Sequence, residues 1–138
     1  MLIEVKGPDS VYRIIRSLAD QFPDFIRILE DAVKSSVIVA GALKIDLQKR
    51  QVTLNGEDIF FTAVEFDIIS YLASDPGNVF SHRQIYEAVW KKEYYRDTAN
   101  ITAHIGHIRK KIEPDSRHPI YIQTVHGVGY KFVKNHTL

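Results

Sequence analysis

The spacing of apolar residues changes period three times along this chain, and each change predicts a different kind of element. Between residues 9 and 35, Val11, Ile14, Ile15, Leu18 and Phe22 recur at helical intervals, as do Phe25, Ile28, Leu29 and Val33. Pro23 interrupts this stretch, because it lacks a backbone donor, and divides it into two helices. From residue 36 to 61 the period shortens. VIV (37–39), ALKIDL (42–47), QVTL (51–54) and DIFF (58–61) predict a small antiparallel sheet, with Gly41 and the polar Gln48–Arg50 as connections. Asn55-Gly56 between two of these runs is a hairpin turn, since both residues tolerate positive φ.

Helical spacing then returns. Thr62-Ala63-Val64-Glu65 forms a capping box, in which the Thr hydroxyl and Glu carboxylate each take a free N–H. It opens a helix carrying Phe66, Ile69 and Leu72 that stops near Asp75-Pro76-Gly77. Ser81-His82-Arg83-Gln84 is a second box, opening a short helix with Ile85, Ala88 and Val89 that reaches Trp90. After the polar loop Lys91–Asp97, a third helix of about 15 residues starts at Thr98 and ends at Glu113-Pro114-Asp115. Two β runs, 121–125 and 128–133, close the pattern around Gly127 and Gly129.

On the third helix, Ile101, Ile105, Ile108 and Ile112 make one apolar stripe. The opposite line holds Ala99, Ala103, Gly106 and Lys110; one flank carries Asn100, His104, His107 and Lys111, the other Thr102 and Arg109. Two alternatives stay open for such a face, a solvated amphipathic helix and a surface that approaches a major-groove floor. Gly106 weighs toward the second, because an interior glycine costs about 1 kcal/mol relative to alanine and calls for a reason.

Charge sharpens the picture more than composition does. The whole chain is +1, but residues 1–95 carry 11 Lys/Arg against 14 Asp/Glu, whereas residues 96–138 carry 7 against 3 and hold five of the six histidines. A C-terminal part at +4 points to an anionic partner. Cysteine is absent, which excludes disulfides and thiolate metal sites. The longest apolar run, Val37–Leu43, is far short of the ~20 residues of a membrane span, and no secretory signal is evident, so a cytoplasmic protein is expected. His104 and His107 are spaced to share a metal with His126 or Asp97, yet histidines facing solvent or DNA are the commoner case, and neither metal nor cofactor is assigned. Gly127-Val128-Gly129 lacks the following helix of a dinucleotide loop. No paired-carboxylate or Ser/His/Asp site can be placed, so no enzyme is expected.

The order of these elements, from Val37 to Val133, describes a winged helix, and the chain resembles the winged-helix effector domain of the OmpR/PhoB response regulators. TAVEFDIISYLASDPGNVFSHRQIYEAVW, HIGHIRKKIEP and IQTVHGVGYKF carry the resemblance, each in the family's order and spacing. The fold it implies is α+β: an N-terminal antiparallel sheet, three helices and a C-terminal hairpin wing over residues 37–138, preceded by a helical segment, 1–36. It implies duplex DNA as partner, RNA polymerase as a further partner, and the third helix as the reading helix. Ala103, Gly106, His107 and, on the wing, His126 match base-reading positions. Trp90, Asn100, Thr102, His104, Arg109, Lys110, Lys111, Thr124 and Lys131 match phosphate-facing ones, with a core-capping role equally open for Trp90. Gly127 turns the wing, with Gly129 beside it, and Tyr130 anchors its returning strand.

Two departures qualify this. Gly106 and His107 replace helix arginines common in the family, and His126 replaces a wing arginine, so bidentate guanine readers worth about 1–3 kcal/mol each are missing. Base preference is then A·T-leaning, shape-based or modest. Residues 1–36 are too few for a receiver; MLIEVKGP and the helix after it match a receiver's end only loosely. The expected protein therefore acts without phosphorylation and self-associates through residues 9–35. The readings to separate are a sequence-preferring regulator or origin-organising DNA binder, a protein-interaction module, and a histidine-based metal or pH sensor.

Overall fold

The computed structural model describes residues 8–34, 36–94 and 100–134, and the chain divides after Ser36 into two compact units. In the first, α1 (Pro8–Gln21) and α2 (Pro23–Lys34) are separate helices. The break falls where the sequence puts it: Pro23 opens α2, the first-turn position where a missing N–H costs nothing. Ile26 is buried, while Phe22, Phe25 and Ile28 are 53%, 47% and 65% exposed. The loose receiver-like match covers residues 1–8 and the helix after them; its first part, residues 1–7, lies outside the described residues.

The second unit begins with a four-stranded antiparallel sheet in simple sequence order: β1 (Val37–Ala40), β2 (Leu43–Asp46), β3 (Gln51–Leu54) and β4 (Glu57–Ile59). Asn55 and Gly56 have φ of 53° and 81°, the paired positive values that a two-residue hairpin turn requires. Leu43, Ile45 and Val52 alternate onto the buried face. The fourth strand is shorter than the DIFF run predicts: Phe60 is 80% exposed and leaves the sheet before the next helix begins.

Three helices follow, α3 (Ala63–Ala73), α4 (His82–Trp90) and α5 (Ile101–Ile112). Both capping boxes are formed, Thr62 with Glu65 and Ser81 with Gln84, each by reciprocal side-chain to backbone bonds of 2.8–3.2 Å. α5 is shorter than expected. Asn100 is its N-cap, with its carboxamide oxygen accepting the Ala103 N–H at 3.1 Å, so the helix starts at Ile101 and not at Thr98. Thr98 and Ala99 lie outside the described residues.

The hairpin is β6 (Ile122–Val125) and β7 (Gly129–Phe132), and it gains a third strand that the sequence pattern does not announce, β5 (Val79–Phe80), giving the order β5-β7-β6. α3 lies at the centre, packed against α4, α5 and β7. Phe66, Ile68, Ile69 and Leu72 from α3 meet Ile85, the four α5 isoleucines, and Ile122 and Phe132 of the wing in one core. Among the described residues no helix is long and apolar enough to cross a membrane.

Candidate nucleic-acid interface

The stripe of Ile101, Ile105, Ile108 and Ile112 is at most 1% exposed, which fixes the rotation of α5 and turns Ala103, Gly106, His107 and Lys110 outward. A side chain added at Gly106 would meet no atom within 4 Å. Among the described residues nothing therefore requires a glycine here, and the face is smooth because it is bare. His107 and Lys110 are exposed. His104 is half-buried, with its ring 5.9 Å from that of Trp90 and 6.4 Å, edge-on, from that of His107.

Trp90 serves the core and the surface together. Its ring stacks on Tyr86 at 5.1 Å and packs against the core, while part of it remains exposed. Tyr86 is met edge-on by Tyr94 at 5.5 Å, so an aromatic run leads from the loop after α4 to the outer flank of α5.

Contacts along its whole length seat the wing. Gly127, at φ +77°, makes the tip, and the Val128 N–H closes the turn onto the Val125 carbonyl at 2.9 Å. Gly129 is needed for clearance: a Cβ there would stand 1.9 Å from the Phe80 carbonyl oxygen, so β5 and β7 can pair only around a glycine. Tyr130 is buried, its ring stacked on His82 at 5.4 Å and its hydroxyl 3.3 Å from the Thr102 hydroxyl on α5. Arg109 spans from α5 to β6, donating from Nε and Nη2 to the Ile122 carbonyl at 3.1 and 2.9 Å, and from Nη2 to Thr124 Oγ1 at 2.8 Å. Helix and wing thus form one surface, with His126 exposed at its end.

Four of the expected residues already have partners within the chain. Asn100 is not on the flank of α5 but caps it. Lys111 does not extend the His104–His107 flank: its ammonium lies 2.6 Å from Glu65 Oε1 and over the rings of Phe60 and Phe61 at 5.4 and 5.3 Å. The i, i+4 drift of the helix carries it round toward the start of α3. Arg109 and Thr124 are joined to each other before they can meet a ligand. Burial pushes the Glu65 carboxyl up, but Lys111 and the Thr62 N–H and hydroxyl outweigh it and hold the group below its ordinary value. Lys110 is exposed on α5, and Lys131 stands on β7 opposite Gln123.

Residues that sequence reasoning passed over also shape this surface. Arg83 lies with its guanidinium 5.9 Å from the Tyr94 ring, lining with His82 a groove of about 420 Å³ against the wing. Glu113 appeared only as a helix end. Its buried carboxylate accepts the N–H groups of Ile120, Tyr121 and Ile122 at 2.8–3.2 Å and so directs the chain from α5 into β6. The acidic residue at a helix C-terminus, unfavourable to the dipole, was the one available signal.

A bare-faced helix locked to a three-stranded wing defines a winged helix-turn-helix domain. Residues 56–132 match the family described as "Transcriptional regulatory protein, C terminal", and the chain belongs to that family, the OmpR/PhoB-type DNA-binding domains. It is 37% identical over 95 residues to the sensory transduction protein RegX3 of Mycolicibacterium smegmatis, covering 69% of this chain and 42% of that protein. Against the transcriptional regulatory protein YcbL of Bacillus subtilis it is 39% identical over 102 residues, 74% of this chain and 45% of that one. The chain thus spans under half the length of these relatives. Among solved structures, the C-terminal effector domain of BfmR from Acinetobacter baumannii superposes with a TM-score of 0.63 at 40% identity, covering 73% of this chain and 93% of that one. The RstA DNA-binding domain of Klebsiella pneumoniae, solved in complex with the RstA box, gives 0.65 at 29% identity, over 70% and 96%.

Proposed function

We propose that this chain is the duplex-reading part of a cytoplasmic transcription regulator, with α5 in a major groove and the wing at the neighbouring minor groove. The observation that carries the reading is Gly106, an interior helix glycine with open space above it on the face that the wing flanks. Ala103, Gly106 and His107 then approach base edges, and His126 approaches the minor groove. Lys110, Lys131, Thr102 and the exposed edge of Trp90 serve phosphates, with RNA polymerase as the second partner of the bound protein. The RstA domain's complex with its own DNA box supports this reading by kinship.

Binding should depend on salt, because each neutralised phosphate releases counterions; a slope of log affinity on log salt of magnitude about 3–6 is expected. The test is titration of the chain with the tightest duplex selected from a random pool and with an unrelated duplex of equal length. Affinity that is flat in salt, or equal for both duplexes after selection, would remove the sequence-reading role and leave a protein-interaction module. A second reading concerns residues 9–35. The exposure of Phe22, Phe25 and Ile28 favours self-association of this segment, which would bring two wing units to two half-sites.

A further inference from the structure

A concave surface lies beside the wing, on the side away from His82 and Arg83. It encloses about 470 Å³ and is walled by Arg109, Arg117, His118, Gln123, Thr124 and His126. β6 is the edge strand of the wing sheet, so this cleft borders the open side of the wing, between it and the loop that follows α5. We propose that it seats a backbone phosphate of the DNA strand bordering the minor groove, with Arg117 as the principal donor; the proposal rests on the duplex-reading role above.

The donors are arranged for an anion. Among the described residues no carboxylate lines the cleft, and Asp115 holds the neighbouring Arg117 and His118. One Asp115 oxygen accepts the Arg117 backbone N–H at 3.0 Å and, at a long 3.5 Å, its Nε; the other lies 3.0 Å from His118 Nδ1. These contacts, first the one with His118, keep the Asp115 carboxyl below its ordinary value, so it stays an acceptor. A guanidinium has five N–H donors in a fixed fork, and Asp115 takes only one from Arg117. The remainder project from a side chain that is 85% exposed. Thr124 accepts a hydrogen bond from Arg109, which leaves its own hydroxyl proton to donate. His118 is tied to Asp115, with its Nδ1 3.0 Å from the carboxylate oxygen, and Arg117 is the better-placed donor. The occupant follows from position. Thr124 and His126 belong both to this cleft and to the groove on the wing's other side, so a strand passing the wing tip runs alongside Arg117.

The experiment compares the unaltered chain with Arg117→Gln, Arg117→Lys and, as a charge control in the β2–β3 turn, Lys49→Gln, on the selected duplex and the unrelated one. Arg117→Gln should weaken both about three- to tenfold at ~0.1 M salt and reduce the salt slope by about one, because a phosphate contact carries no sequence information. Arg117→Lys should restore most of the slope, and Lys49→Gln should change neither quantity. Ethylation of a phosphate beside the wing's minor groove should block the unaltered chain and lose that effect with Arg117→Gln. The proposal is overturned if the unaltered chain binds duplex with the expected salt dependence while Arg117→Gln keeps the same slope and interference pattern, or if Lys49→Gln lowers the slope equally. Absence of any duplex binding by the unaltered chain overturns the duplex-reading role itself, and this proposal with it.

Discussion

Gly127 and Gly129 stand two positions apart on the wing and are glycine for unrelated reasons. At Gly127 the backbone is left-handed but the space around it is open, so alanine there costs only the strain of that conformation, about 1–2 kcal/mol. At Gly129 the obstacle is a carbonyl oxygen 1.9 Å from the added methyl, and backbone cannot swing aside as a side-chain end can. Gly129→Ala should therefore cost about 3 kcal/mol or more, separating β5 from β7. Urea unfolding of the two variants checks the order; equal losses would mean that the β5–β7 approach is not as close as described. His107 is a third single-residue case. Exposed beside bare Gly106, it should on substitution by alanine relax the preference for the selected duplex more than it weakens binding to the unrelated one. Equal losses on both would place His107 at a phosphate.

Arg109 and Lys111 are two residues apart on α5 and tie it to different elements. Arg109 fixes β6 through the Ile122 carbonyl and Thr124, so the angle between reading helix and wing depends on it. Arg109→Ala should raise amide exchange along β6 and destabilise the domain by about 1–3 kcal/mol. Affinity for the selected duplex should fall more than affinity for the unrelated one, and Arg109→Lys should not rescue it, because a lysine cannot reproduce the fork. A purely electrostatic role predicts equal losses and rescue by lysine. Lys111 fixes the start of α3 through buried Glu65. The Glu65 carboxyl titrates lower in the folded chain than in the unfolded one, so its stabilising contribution is complete above the unfolded value near pH ~4.3. It is lost as pH falls through the lower folded value. Stability measured from pH 6 to pH 3 should drop on that limb, and the drop should be smaller in Glu65→Gln paired with Lys111→Met. An unchanged acid limb in the double variant would assign the loss to other carboxylates.

At the scale of the whole molecule, the proposed self-association through residues 9–35 makes a separate prediction. Ile28 is 65% exposed on α2, and the self-association proposed for residues 9–35 would cover it. Sedimentation of the full chain should show association rising with concentration, and Ile28→Asp should abolish it. The same variant should bind a duplex bearing one site as the unaltered chain does and a duplex bearing two sites less tightly, since the second binding event is no longer intramolecular. A chain that stays monomeric at every concentration, free and on DNA, rules this arrangement out.

The elements were legible because their causes are local. Apolar period, Pro23, the Thr62–Glu65 and Ser81–Gln84 boxes and the Asn55-Gly56 turn all act within a few residues, and their order was enough to name the winged helix. The outward line of α5 was equally readable, since four isoleucines fix its rotation. What only the tertiary structure decided depends on residues far apart in the chain. Lys111 meets Glu65 across 46 positions, Tyr130 reaches Thr102 across 28, and the clearance at Gly129 is set by Phe80. A helical wheel counts Lys111 and Arg109 as free cations, because periodicity describes which way a side chain points and not what stands in its path. Whether a charge is available to a phosphate or already held by a carboxylate or carbonyl is settled by packing, and the sequence carries no local signal for it.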